Sequence, residues 1–101
     1  MKVQVRVPTA LRELVAGARS IAVDVPDGTS NGGPTVTVAA VLDAVAADHP
    51  ALERRVRDER GNPRIHVNLF VGPDNVKDLD GLATPVAAGQ ELTIIPAISG
   101  G

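Results

Sequence analysis

Hydrophobic residues recur along this chain with two different periods, and the order of those periods leaves few folds open. In residues 2–7 Val3, Val5 and Val7 fall on one face while Lys2, Gln4 and Arg6 fall on the other. That alternation marks a strand with one face in a core and the other in water. It returns at residues 19–25 with Ile21, Val23 and Val25, and at 65–71 with Ile65, Val67, Leu69 and Val71. A last strand over 90–95 turns Leu92 and Ile94 inward and Ile95 outward. Between the second and third strands, Val38, Val41, Leu42, Val45 and Ala46 follow the 3, 4, 7, 8 spacing of one helical face.

The connections carry their own signals. Pro8 ends the first strand, and Thr9 is placed to cap a short helical turn through Leu11, Leu14 and Val15 before Gly17. Residues 26–34 read as a surface excursion rich in Gly, Pro and Asn. They lack the Gly-Lys-Ser/Thr ending and the glycine spacing that a phosphate cradle needs. Thr35 or Thr37 serves as helix N-cap, and Asp48-His49-Pro50 closes the helix. His49 has no partner cluster that would make it a metal ligand or a catalyst. Residues 51–64 interleave Glu53, Asp58 and Glu59 with Arg54, Arg55, Arg57, Arg60 and Arg64. That mixture reads as a solvated, ion-paired face, with room for a small basic patch toward an acidic partner. Gly72-Pro73-Asp74-Asn75 is a turn into a short strand, and 79–89 is an irregular connection that buries Leu79, Leu82 and Val86. Asp74, Asp78 and Asp80 do not match calcium-loop spacing, so no metal is expected.

Strand, strand, helix, strand, short strand, strand, with the first two paired and the apolar last one central, gives an α+β fold. The economical arrangement is a β-grasp, or ubiquitin-like, fold: a mixed sheet of four to five strands with one main helix packed on one face. The 101 residues suffice for one domain, expected over 1–95, with 96–101 as a flexible tail. Phe70 is the single aromatic residue, so the core must be aliphatic. A net charge of −2 argues against nucleic acid and anionic membranes, and zero cysteines exclude a thiol nucleophile, thiolate metal sites and disulfides. With no signal peptide and no spanning segment in view, a cytoplasmic location is expected.

The sequence closes on Pro96-Ala97-Ile98-Ser99-Gly100-Gly101. Six extended residues reach ~20 Å at ~3.3–3.6 Å each, enough to enter a narrow channel in another protein. A Gly-Gly end without Cβ atoms is the slimmest carboxylate a chain can offer. Several short stretches then combine: Leu11-Arg12-Glu13-Leu14, Val67-Asn68, Leu82-Ala83-Thr84-Pro85-Val86, and Ala88-Gly89-Gln90-Glu91-Leu92-Thr93-Ile94-Ile95-Pro96 ahead of Gly100-Gly101. Over nearly the whole chain this pattern resembles the MoaD/ThiS family of ubiquitin-like sulfur-carrier proteins. From Val67 onward it is most similar to the CysO-type carriers of actinobacterial cysteine biosynthesis. The glycine-rich loop at 27–34 is longer than that family leads one to expect.

The resemblance implies a carrier and co-substrate rather than an enzyme. Gly101, preceded by Gly100, would be adenylated by an E1-like partner that uses Mg-ATP, and the chain itself would bind no cofactor. A sulfur donor would then convert Gly101 to a thiocarboxylate for a sulfur-accepting synthase, and a metalloprotease would release the product. The acceptor pathway is expected to be cysteine biosynthesis, with molybdopterin, thiamine or a secondary metabolite as the others open. Phe70 and Ile95 point away from the helix by strand alternation, and Pro8 lies near the end of the neighbouring strand. With Pro96 and Ile98 in the tail, they are the expected partner-binding residues; for Phe70, packing under a loop is the competing assignment. Two alternatives stay open. One is a ubiquitin-like modifier linked to lysines through Gly101, and the other is a plain interaction domain. No nucleophile–base pair marks an independent enzyme.

Overall fold

The computed structural model describes residues 1–26, 28–30 and 33–96, with side chains described for 1–26 and 35–96. In chain order the strands are β1 (Lys2–Arg6), β2 (Ser20–Asp24), β3 (Gly28–Ser30) and β4 (Gly33–Thr37). Two helices follow, α1 (Val38–Asp48) and α2 (Pro50–Val56). Then come β5 (Val67–Val71), β6 (Asp74–Asn75), β7 (Pro85–Ala87) and β8 (Glu91–Pro96), with short 3-10 helices at Thr9–Val15, Val76–Asp78 and Gly81–Ala83.

Valine alternation produces the main sheet, whose order is β2-β1-β8-β5-β6. β8 lies at its centre, parallel to β1 and antiparallel to β5. Val3, Val5, Val23, Leu69, Leu92 and Ile94 project toward the helices and are buried. α1 covers that face with Val38, Val41, Leu42 and Val45, each fully buried, as the helical spacing requires. Its N-terminus is closed twice. The Thr37 hydroxyl accepts from the Ala40 N–H at 3.1 Å, and the Val38 N–H donates to the Thr84 carbonyl at 3.0 Å. This is the β-grasp architecture: a mixed five-stranded sheet with helices on one face.

Five details depart from the sequence reading. Thr9 does not cap the 3-10 helix; Pro8 holds that position in extended conformation, with no side-chain cap bond. Within the excursion at 26–34 the described residues include two paired strands: β3 pairs with β4, and β4 with β7, in a second, three-stranded sheet. Pro34 is tolerated there because it lies opposite Thr29 but outside the β4–β7 register, which begins at Thr35. Pro50 closes α1 but also opens α2 at its first position, where proline costs no hydrogen bond. Leu79 is 47% exposed rather than buried. Ile65 is 82% exposed, because strand pairing ends at Val67 opposite Pro96 and residues 65–66 form a turn.

Gly72 and Pro73 join β5 to β6, with Val71 opposite Asp74. Gly72 at a φ of 59° in the first central position, followed by a proline whose ring fixes φ negative, makes this a II′-type hairpin turn. Buried Leu69 and exposed Ile65 give opposite expectations from one apparent alternation. In urea unfolding, Leu69→Ala lowers stability by about 2–5 kcal/mol, whereas Ile65→Ala changes it by about 0.5 kcal/mol or less.

Candidate functional site

Gly100, Gly101 and Ile98 lie outside the described residues; the last described element before them is the end of β8. The strand is launched by a turn over Ala87–Gln90. Its second central residue, Gly89, has a φ of 88°, a left-handed conformation that favours glycine. The Gln90 N–H donates to the Ala87 carbonyl at 3.0 Å, and the Ala87 N–H donates to the Gln90 side-chain carbonyl at 2.8 Å. From there β8 is held on both edges and remains paired up to Pro96, which stands opposite Val67. Residue 96 is therefore part of the sheet rather than the first tail residue. Five further residues extended at ~3.3–3.6 Å each would carry the carboxylate up to ~17 Å beyond it.

Two surfaces flank this exit. On the sheet face away from the helices, cross-strand register sets Arg6, Thr93 and Phe70 in one row, with Ile95 opposite Asn68 in the next. Ile95 is 44% exposed, and Pro8 is half-buried beside it. Both line a depression of about 310 Å³ that also includes Arg6, Arg12 and Thr93. Phe70 is half-buried and does not line that depression; it continues the same face toward β6, opposite Asn75. The structure thus unites Pro8 and Ile95 and places Phe70 one strand away. Arg6 reaches Glu91 at 3.9 Å across the same face, an exposed pair of little energetic weight.

Pro96 belongs to the other surface. Its side chain shares the inward parity of Leu92 and Ile94 and faces a groove of about 520 Å³ on the helix side of the sheet end. Leu11, Val67 and Pro96 supply its apolar part, while Arg54, Arg55, Arg64 and His66 supply its basic part. α2 buries Leu52 and Val56 and so turns Arg54 and Arg55 outward. Residues 57–63 double back, with a bridge between Arg57 and Pro63, and bring Arg64 to the end of α2. There the Arg64 Nε–H donates to the Arg54 carbonyl at 2.7 Å, satisfying one open helix-end acceptor.

The charged stretch is indeed partly ion-paired. Arg57 bridges the helices, donating to Asp43 of α1 at 2.8 Å and to Glu53 of α2. Burial opposes its charge, but the two carboxylates outweigh that and raise the guanidinium above its ordinary range. Several residues that carried the family resemblance prove structural. Arg12 Nε–H donates to the Val7 carbonyl at 3.0 Å, fixing the end of β1. The buried Thr84 hydroxyl accepts from the Asp80 N–H at 3.1 Å, and Val86 sits in the core. Among the described residues no group of three or more His, Cys, Asp or Glu could hold a metal. No helix there is long and apolar enough to cross a membrane.

The ThiS family model matches residues 5–101. Sulfur carrier protein CysO of Mycobacterium tuberculosis is 32% identical over 103 residues, covering 100% of both chains. Small archaeal modifier protein 1 of Haloferax volcanii is 39% identical over 87 residues, covering 86% of this chain and 87% of that one. The crystal structure of the Amycolatopsis orientalis BexX/CysO complex matches with a TM-score of 0.76 at 29% identity, covering 98% of this chain and 99% of that one.

The open face leads to a direct test of which apolar residues belong to the core. Ile95→Ser leaves the urea midpoint close to wild type, with a change of about 1 kcal/mol or less. Phe70→Ala costs roughly half a full core truncation, ~2 kcal/mol, and the domain still unfolds in one cooperative step.

Proposed function

Because the chain belongs to the ThiS family, we propose that it is a sulfur carrier whose Gly101 carboxylate is activated and converted to a thiocarboxylate. The observation that carries this reading is the family match through residue 101, which takes in the diglycine as well as the fold. The chain acts as a co-substrate: its body is recognised and its last carboxylate reacts.

A free α-carboxylate has a pKa of about 3.3–3.7, so at neutral pH it is an anion and a poor electrophile. In an E1-like partner holding Mg-ATP, a Gly101 carboxylate oxygen attacks the α-phosphorus of ATP and pyrophosphate leaves. A nucleophilic sulfur at the sulfide level then attacks the acyl carbon. The bond between that carbon and the bridging oxygen breaks, AMP departs, and a thiocarboxylate remains. The absence of side chains at Gly100 and Gly101 leaves the carbonyl carbon open to attack. No thiol of this chain is needed, in keeping with its lack of cysteine.

The open sheet face bearing Ile95, Pro8 and Phe70 is proposed as an apolar handle for such partners. The full-length likeness to CysO supports cysteine biosynthesis as the acceptor pathway, with a sulfur-accepting synthase and a product-releasing metalloprotease as further partners. The 39% identity to an archaeal modifier protein supports a second reading, in which activated Gly101 is passed to lysine side chains.

Intact-mass spectrometry separates the two. Incubation with the E1-like enzyme, Mg-ATP and sulfide should exchange one oxygen for sulfur at Gly101, and the chain lacking Gly101 should gain nothing. Higher-mass lysine conjugates formed in place of that exchange would favour the modifier.

A further inference from the structure

The groove beside Pro96 holds more positive charge than the described residues neutralise. Among the described residues, every acidic group of the same stretch except Glu59 is already engaged. Glu53 and Asp43 pair with Arg57, and the Asp58 carboxylate accepts from the backbone N–H groups of Arg60 and Asn62 at 2.9 and 3.1 Å. Glu59 lines two neighbouring depressions, one with Asp58 and Arg60 and one shared with Arg54 and Arg64, but not this groove. Among the described residues Arg54, Arg55 and Arg64 make no ion pair, and no acidic residue lines the groove. Arg64 is held in place by its bond to the Arg54 carbonyl, whereas no hydrogen bond of the Arg54 or Arg55 side chain is present among the described residues. Exposed Ile65 immediately precedes His66 on the groove's edge.

We infer that this groove is an ionic docking site for the protein that receives the tail, and that it takes an apolar side chain flanked by aspartate or glutamate. The apolar part made by Leu11, Val67 and Pro96 accepts the side chain, and the guanidinium groups meet the carboxylates. Reach decides against nucleotide phosphate as the occupant. With the tail extended, the reacting carboxylate stands up to ~17 Å from Pro96, so groups beside Pro96 face the mouth of the channel rather than its reaction centre. Opposite charge at the mouth orients the body before the tail threads, an effect expressed in encounter rate and salt dependence. The docking site rests on the proposed activation of Gly101 but concerns a separate surface.

The experiment compares the full chain with the Arg54→Glu/Arg55→Glu double variant, using the E1-like enzyme, ATP–pyrophosphate exchange and ATP-free binding titrations at low and high salt. Both residues are exposed and make no side-chain bond among the described residues, so circular dichroism should match wild type, and reversing two charges in the last turn of α2 should lower the urea midpoint only slightly. The double variant should raise the KM for the carrier about tenfold at low salt, leave kcat at saturating carrier unchanged, and lose most of the wild-type salt dependence. An unchanged carrier KM overturns the docking site. So does a raised KM for ATP at saturating carrier, which would put the arginines on phosphate. A lowered carrier KM also overturns it, since that would make the groove a seat for the chain's own tail. Salt-sensitive binding by wild type without any pyrophosphate exchange would leave the docking site standing and sink the activation of Gly101 instead.

Discussion

Everything in this structure depends on the pairing of β8. Held parallel to β1 on one edge and antiparallel to β5 on the other, it contributes Leu92 and Ile94 to the centre of an aliphatic core. The same strand is the last described element before the C-terminal residues. A force or misalignment at its end is therefore resisted by the sheet's hydrogen bonds and by the core together. That coupling fixes the end of β8 to the folded body.

Strand parity then distributes the surfaces around the exit. Because successive residues of β8 point to opposite faces, Ile95 joins the open face with Pro8 while Pro96 turns into the groove between the 3-10 helix, α2 and the sheet end. Both surfaces mix apolar and basic residues: Arg6 and Arg12 stand beside Pro8 and Ile95 on one, and Arg54, Arg55 and Arg64 beside Leu11, Val67 and Pro96 on the other. An enzyme that grips both can fix the direction in which the chain leaves. Under the proposed activation of Gly101, recognition by the body and reaction at the tip would be separated in space, so different partners could share the first while performing different chemistry on the second.

Much of this was legible in the sequence where hydrophobic periodicity reports burial. The valines of β1, the apolar alternation of β2 and β8, the α1 face and the Thr37 cap follow from local pattern, because each side chain's depth is set by its own element. Ile65 departs from its pattern because alternation continues past the point at which pairing stops, and only the register with β8 reveals where that is. Leu79 is hydrophobic but lies in a connection with no periodicity to place it, so its exposure is not readable from local pattern. The β3–β4 hairpin escaped because its strands are short and glycine-rich, and α2 because its charges outnumber its two buried anchors, Leu52 and Val56. As for the site, the diglycine was plain in the sequence. The groove was not, since its members come from α2, the segment that follows it, the strand ends and the first 3-10 helix, which only tertiary structure brings together.

If Gly101 is activated as proposed, its carboxylate passes through an acyl-phosphate anhydride, and the fate of its oxygen tests this most directly. Chain carrying ¹⁸O in the Gly101 carboxylate, incubated with the E1-like enzyme, Mg-ATP and sulfide, should release AMP that has gained a labelled oxygen. AMP free of label, with both labelled oxygens retained on the protein, would contradict the account.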